Sequence, residues 1–519
     1  MQKDLPHGST QIVKNVLMDW VAMGTTIVAG FLMSPFLVRN LGDSAYGVWI
    51  LIGSLVGYLG LLDLGVTQSI VKYIAEHRAR GDQEAINRVI TGGVAFYSLM
   101  GLISLGVSFG VAFRFNGIFN TGLDDHTVFK IAVLAGLNLA VSFPATVYVG
   151  VLRGYQRYDI DSLVTSITII VRSLILVALV LGGHGLVALA IVTLVSDLTR
   201  LAILIFCVYR INPLITVSRV YLSKPEMKRL FNYSIFAFLI IMGKRMIFYT
   251  DSIVIGIFLP AAAVTRYFVG SRLVTYLLQA AEAVGVLTPT TSDLDARNDR
   301  QSIRELLVLS TKYLLLVTLP LGTIFLVMGE TFISLWMGPA YAGSASILTI
   351  LTIAAIAHLI EMPPSIVLMG IGKHRIVAWF TLSQAIVNLI LSIVLVQRFG
   401  IEGVALGTAI PMVVFPVVEI VVYFKKYLDL PLGSYLWRAV PLPVAIQAPF
   451  VALLLLIRTY APPSSLLVFV ALIAGALVPY AALAFRVAMS PTERRVFLGI
   501  AERLGLKLSP LFPEVAGDR

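Results

Sequence analysis

Apolar runs of about 20 residues alternate with short polar turns along the whole chain, the length a helix needs to cross a bilayer. In the first half they fall near 15–39, 45–71, 87–112, 128–151, 160–182 and 185–209. In the second half they fall near 230–259, 263–291, 303–329, 345–370, 376–397 and 402–424, with two more at 436–457 and 465–486. None alternates polar and apolar residues in the way a transmembrane β-strand would. The pattern therefore predicts an all-α polytopic membrane protein of about fourteen transmembrane helices. The polar start gives way to an apolar stretch from Val16 to about Val38 that is long for a signal peptide and lacks a small-residue cleavage pattern, so it reads as the first span.

Composition supports this reading. Apolar residues make up 58% of the 519 and charged residues 13%, about half the charge of a soluble domain. The net charge of +11 would suit nucleic acid, but no zinc-finger spacing, RNA-binding aromatic motif or basic arm accompanies it. The distribution of Lys and Arg accounts for the charge better. With the N-terminus in the cytoplasm, the inside segments hold about 27 of them and the outside loops about four, at Arg39, Arg114, Arg398 and Arg458. Both termini are thus expected in the cytoplasm. Cys207 is the single cysteine and lies in an apolar run, which excludes an intramolecular disulfide.

The two halves resemble each other. Gly53–Leu59 matches Gly270–Leu277 with Arg272 as an insertion, and Ala79-Arg80-Gly81-Asp82 matches Ala296-Arg297-Asn298-Asp299. Gly154-Tyr155-Gln156-Arg157 similarly resembles Gly372-Lys373-His374-Arg375. All three lie at an offset of about 217 residues, which marks a duplication. The offset covers six spans, an even number, so the copies share one orientation as parallel repeats. The expected organisation is a six-helix bundle over 1–210, a cytoplasmic linker over 211–229, a second six-helix bundle over 230–426, helices thirteen and fourteen over 427–488, and a tail over 489–519. In both copies the Asp that follows Gly or Asn is placed to cap the next helix. In the tail, Ser490-Pro491-Thr492-Glu493 has a capping-box pattern, and Val496, Phe497, Ile500 and Leu504 recur at helical spacing, which predicts an interfacial amphipathic helix over 491–506.

Three stretches carry a family resemblance: Leu41-Gly42-Asp43-Ser44-Ala45-Tyr46-Gly47-Val48-Trp49, Gly57-Tyr58-Leu59-Gly60-Leu61-Leu62-Asp63-Leu64-Gly65 and Ser69-Ile70-Val71-Lys72-Tyr73-Ile74-Ala75. Together they resemble the polysaccharide transporter (O-antigen flippase) family of the multidrug/oligosaccharidyl-lipid/polysaccharide exporter superfamily. The resemblance implies flipping of polyprenyl-diphosphate-linked oligosaccharide from the cytoplasmic to the outer leaflet of a bacterial or archaeal cytoplasmic membrane. It also implies a cavity lined mainly by spans one, two, seven and eight, no cofactor, and a place beside the polysaccharide polymerase and glycosyltransferases of the same pathway.

Ionisable groups inside the membrane are costly and usually face a cavity or a partner. Spans seven and eight are the richest, with Lys244, Arg245, Asp251, Arg266, Arg272 and Glu282. Arg272, Tyr276, Gln279 and Glu282 form a polar stripe at helical spacing. Lys244, Arg245, Arg266, Arg272, Tyr276 and Gln279 are the candidate substrate-binding residues, because cations suit a diphosphate. Asp19, Asp63, Asp251 and Glu282 are the candidate ion-coupling residues. Internal pairing, such as Lys244 with Asp251, is the alternative for this group, and Asp63 near a helix end suits a capping or pairing role. Asp197 and Arg200, three apart on span six, are expected to satisfy each other. Arg172, Lys130, Lys312, Glu361 and Glu419 are weaker candidates, and His358 with Glu361 reads as a packed polar pair rather than a metal site.

A cation-coupled multidrug exporter of the same superfamily is the nearest alternative function. A membrane polysaccharide polymerase or glycosyltransferase fits less well, since the outside loops are short. The sequence shows no Gly-Lys-Ser/Thr phosphate loop, Ser-His-Asp set or His-Glu-x-x-His motif, so a transporter without enzymatic activity is expected.

Overall fold

Every regular element in the computed structural model is helical among the residues it describes, 7–223, 235–282, 285, 287–428 and 430–495. The first half comprises α1 His7–Leu41, α2 Asp43–Leu59, α3 Val66–Arg80, α4 Gln83–Ile118, α5 Asp125–Gly154, α6 Tyr158–Leu181 and α7 Leu186–Ile211. The second comprises α8 Ile235–Phe258, α9 Ala261–Ala281, α10 Leu287–Ala296, α11 Arg300–Trp336, α12 Ser344–Gly370 and α13 His374–Tyr423. Then follow α14 Leu432–Ala439, α15 Pro441–Ala445, α16 Gln447–Tyr460 and α17 Leu466–Leu483. Among the described residues, 11 helical stretches are long and apolar enough to cross a membrane. The expected fourteen spans require α13 to count as two, since it kinks at Gly400 (φ 59°, ψ −135°). They also require α8, with Lys244, Arg245 and Asp251, and α9, with Arg266 and Arg272, to count as spans.

The second expected span, 45–71, is not one helix. It tightens into a 3-10 turn at Gly60–Asp63 and then breaks, with Leu64 at φ 49° and Gly65 at φ 76°, before α3 begins at Val66. A left-handed residue cannot continue a right-handed helix, so the chain restarts in a new direction. The eighth expected span, 263–291, is likewise shared by two helices, α9 and α10. Each copy of the repeat thus replaces one span by a broken pair. The repeat also reappears in the helix starts. Asp82 accepts from the Ala85 amide at 2.9 Å to cap α4, and Asp299 accepts from the Ser302 amide at 3.0 Å to cap α11. Each follows a left-handed residue, Gly81 at φ 70° and Asn298 at φ 56°. Gly supplies that conformation without a Cβ clash and Asn tolerates it.

The chain forms two compact units: Met1–Val269 with His374–Pro411, and Gly270–Lys373 with Met412–Arg519. In the first, α3, α4 and α5 bury Ile70, Ile74, Ile90, Tyr97, Val147 and Leu152 together. In the second, α16 and α17 pack on α11 through Leu316, Ile324, Met328, Phe450, Leu454, Phe469 and Ile473. A buried relay ties the same three helices: Thr323 donates to Gln447, Gln447 to the Tyr480 hydroxyl, and Tyr480 to the Leu316 carbonyl at 2.8 Å. The last two spans therefore attach to the second half, and their polar groups are satisfied inside the bundle as lipid demands.

The capping box of the tail is formed. The Ser490 amide donates to Glu493 at 2.6 Å and the Glu493 amide donates to Ser490 Oγ at 3.3 Å. Residues 491–495 are helical, and the rest of the expected helix over 491–506 lies outside the described residues. Lys312 of α11 reaches Glu493 at 3.2 Å.

Candidate functional site

Two glycines let α8 approach α2. A Cβ on Gly57 would overlap the Tyr249 ring, and one on Gly60 would overlap the Arg245 guanidinium. In the space they leave, Arg245 Nη1 donates to the Gly57 carbonyl at 2.6 Å. Carbonyls in the last turn of a helix lack their usual amide partners, so this cation closes the end of α2. One turn further along α8, Thr250 and the Tyr58 hydroxyl share a hydrogen bond. Lys244, beside Arg245, is exposed.

Asp63 ends the 3-10 turn and accepts from Thr67 at 2.7 Å and from the Tyr97 hydroxyl. It therefore joins the two sides of the break in span two to α4, which is the pairing role expected near a helix end. Asp19 accepts from Ser162 of α6 at 2.7 Å.

Asp251 is buried in α8. Tyr267 donates to it from α9, and Thr408 donates to it at 2.9 Å from the part of α13 that follows Gly400. Asn388 donates in turn to Thr408 at 2.7 Å. The pairing of Lys244 with Asp251 is thereby replaced: the carboxylate is held by two hydroxyls. Asn388 Oδ1 and the nearby Ser392 Oγ are buried without a hydrogen-bond partner. Buried acceptors in this condition are costly and call for an explanation. Gln384, Asn388 and Ser392 recur every four residues on one face of α13, a polar stripe in an apolar run that the sequence already displays. Thr408 and Tyr267 carry no such signal, because single hydroxyl residues are common in membrane helices.

In the second unit Arg272 donates to the Tyr276 hydroxyl at 3.1 Å, with its guanidinium 4.9 Å from the ring centroid. This is the pair of neighbours that the stripe on α9 anticipates. Gln279 is half-buried and Glu282, just beyond α9, is exposed. Arg266, on the part of α9 in the first unit, is also exposed. Glu361 and Glu419 are both buried and share a hydrogen bond. Ser365 also donates to Glu361, and His358 Nδ1 lies 3.4 Å from it.

One expected pair is exchanged. Arg200 binds Asp161 at 3.2 Å and Thr165 at 3.2 Å rather than Asp197. Asp197 stands 4.0 Å from Arg172. Asp161 also takes Arg153, through two bonds at 2.8 and 3.0 Å. Asp161 is the more deeply buried acid, 5% exposed against 21% for Asp197, so it has the greater need of a cation. Lys130 is exposed on α5.

Residues 12–295 match the family described as polysaccharide biosynthesis protein. The chain belongs to this family. Among curated relatives, the "Putative O-antigen transporter" of Shigella flexneri is 22% identical over 409 residues, covering 78% of this chain and 95% of that protein. Two solved structures share the fold. The lipid II flippase MurJ in an inward closed conformation aligns with a TM-score of 0.69 at 15% identity, over 91% of this chain and 99% of that one. An inward-facing multidrug resistance MATE family transporter of the MOP superfamily aligns with a TM-score of 0.65 at 14% identity, over 81% and 98%. The family member is thus a multi-pass membrane protein with an all-α transporter fold.

Proposed function

We propose that this protein flips a polyprenyl-diphosphate-linked oligosaccharide, the repeat unit of O-antigen or another surface polysaccharide, from the cytoplasmic to the outer leaflet by alternating access. The observation that carries the reading is the concentration of cations on α8 and α9, Lys244, Arg245, Arg266 and Arg272, within a member of a polysaccharide biosynthesis family. A lipid diphosphate brings about two negative charges into a shielded site, and such charges cannot be left unpaired. Guanidinium groups stay protonated and offer paired N–H donors to phosphate oxygens. Arg245 and Arg272 are the principal ligands, with Lys244 and Arg266 adding charge, and Tyr276 and Gln279 adding polar contacts.

Asp251 is the leading coupling group. Its carboxylate and the unpartnered oxygens of Asn388 and Ser392 form an oxygen-rich, buried environment suited to a proton or a small cation. Asp19, Asp63 and Glu282 are secondary coupling candidates, the first two being already engaged by hydroxyls. Each half of the sequence supplies six spans, both termini face the cytoplasm, and the pathway's polymerase and glycosyltransferases act on either side of this step.

The test is complementation in a bacterial strain that lacks its lipid-linked oligosaccharide flippase. Expression of this protein should restore surface polysaccharide. Restoration of drug resistance in an exporter-deficient strain, with no polysaccharide restored, would favour the multidrug exporter instead.

A further inference from the structure

The contact between Arg245 and the broken second span points to a coupling between substrate binding and a hinge. The break is built from a 3-10 turn, Gly60–Asp63, and two left-handed residues, Leu64 and Gly65. A non-glycine residue in that region is strained and persists only where its surroundings impose it. Two sets of contacts do so here. Asp63 holds Thr67 and Tyr97 on the far side of the break. On the near side, Arg245 donates to the Gly57 carbonyl and its guanidinium fills the space over Gly60. Tyr58 and Thr250 add a second link between the same helices.

We infer that the Arg245 guanidinium is a releasable clasp on the end of α2, and that a substrate diphosphate competes with the Gly57 carbonyl for it, freeing the break at Gly60–Gly65 to bend. This inference rests on the assignment of Arg245 as a phosphate ligand. The competition follows from bond strength. The Gly57 carbonyl is a neutral acceptor that takes one bond, whereas a diphosphate brings opposite charge and can take two parallel N–H donors from the guanidinium. When the diphosphate takes the guanidinium, the Gly57 carbonyl in the last turn of α2 loses its donor, and the near side of the break keeps the Tyr58–Thr250 link and the packing of Tyr249. Binding energy at the headgroup is then converted into mobility of a span, as a transporter requires for binding to precede movement.

Hydrogen exchange of the full chain in nanodiscs, read on peptides spanning Gly57–Val66, tests this. The probes are a polyprenyl diphosphate and the matching polyprenol, which has the same chain and no phosphate. The wild type should exchange faster with the diphosphate, by roughly tenfold, as for loss of one hydrogen bond from a charged donor, and should not respond to the polyprenol. Two variants separate the clasp from the ligand role. Gly60→Ala displaces the guanidinium but keeps its charge, so basal exchange should rise while the diphosphate still binds. Arg245→Ala should raise basal exchange and also lose binding. Basal exchange unchanged in both variants would overturn the clasp. Raised basal exchange without a wild-type response to the diphosphate would overturn the coupling and leave Arg245 a plain helix cap. Full diphosphate binding by Arg245→Ala would instead overturn the ligand assignment, a failure visible in the binding measurement alone.

Discussion

Asp251 shows how a single carboxylate is accommodated inside a membrane bundle. It is buried, and its oxygens take hydroxyl donors from Tyr267 and Thr408. Asp251→Ala removes an acceptor from both hydroxyls at once and should destabilise the protein by about 1–3 kcal/mol, the cost of leaving buried polar groups unmade. Asp251→Asn keeps the shape and part of the bonding, so folding should survive. If Asp251 is the coupling group, transport by the Asn variant should lose its dependence on a proton or sodium gradient. A variant that transports with the wild-type gradient dependence would remove Asp251 from that role. The sequence identified this residue but not its partners. An Asp in an apolar run is conspicuous, whereas the choice among Lys244, Tyr267 and Thr408 depends on how separate helices pack. The same holds for Arg200, whose partner proved to be Asp161 on α6 rather than Asp197 on its own helix.

Helix starts were legible because capping is local. Asp82 and Asp299 each stand one residue before a helix and bond three residues ahead, a relation visible in the sequence. The break in span two was less legible. Gly60-Leu61-Leu62 is apolar enough to continue a span, and only Gly60 and Gly65 hint that it does not. The start of the tail helix adds a pH-dependent contact. Burial of Glu493 opposes its ionisation, but the Ser490 amide and hydroxyl and the Lys312 ammonium outweigh that and hold its carboxyl below the ordinary range. A carboxyl depressed in the folded state stabilises the fold above its unfolded pKa, about 4.3 for Glu, and that contribution is lost as pH falls through the folded value. Spin labels on 491–495 should therefore stay immobile from neutral pH down to the ordinary carboxylate range and loosen only in more acid solution. Lys312→Ala should move that loosening to higher pH. Loosening on raising the pH above neutral would contradict the assignment.

At the scale of the whole chain, duplication explains the most with the least. The caps of α4 and α11 recur at the offset read from the sequence, and in each copy two helices take the place of one expected span before them. The apolar runs gave the helices, because each must satisfy its own backbone in lipid. They also placed a boundary at 398–401, where α13 kinks at Gly400, but not the division of the thirteenth run, where Pro441 and Pro443 separate α14 from α16. An even number of spans per copy, with Lys and Arg gathered on one side, predicts both ends of the chain in the cytoplasm. Reporter fusions after Arg229 and after Arg519 should both read cytoplasmic; a periplasmic signal from either would overturn the orientation.

Lipid flipping itself is the central claim, and a reconstituted assay reaches it without the rest of the pathway. Proteoliposomes would carry this protein and a fluorescent polyprenyl-diphosphate oligosaccharide confined to one leaflet, with arrival at the other leaflet read by a membrane-impermeant quencher. The wild type should move the lipid across. The Arg245→Ala/Arg272→Ala double variant, folded and incorporated to the same level, should not, and Lys at either position should restore only part of the rate, since an ammonium keeps the charge but loses the paired donors. Wild-type flipping by the double Ala variant would contradict the account.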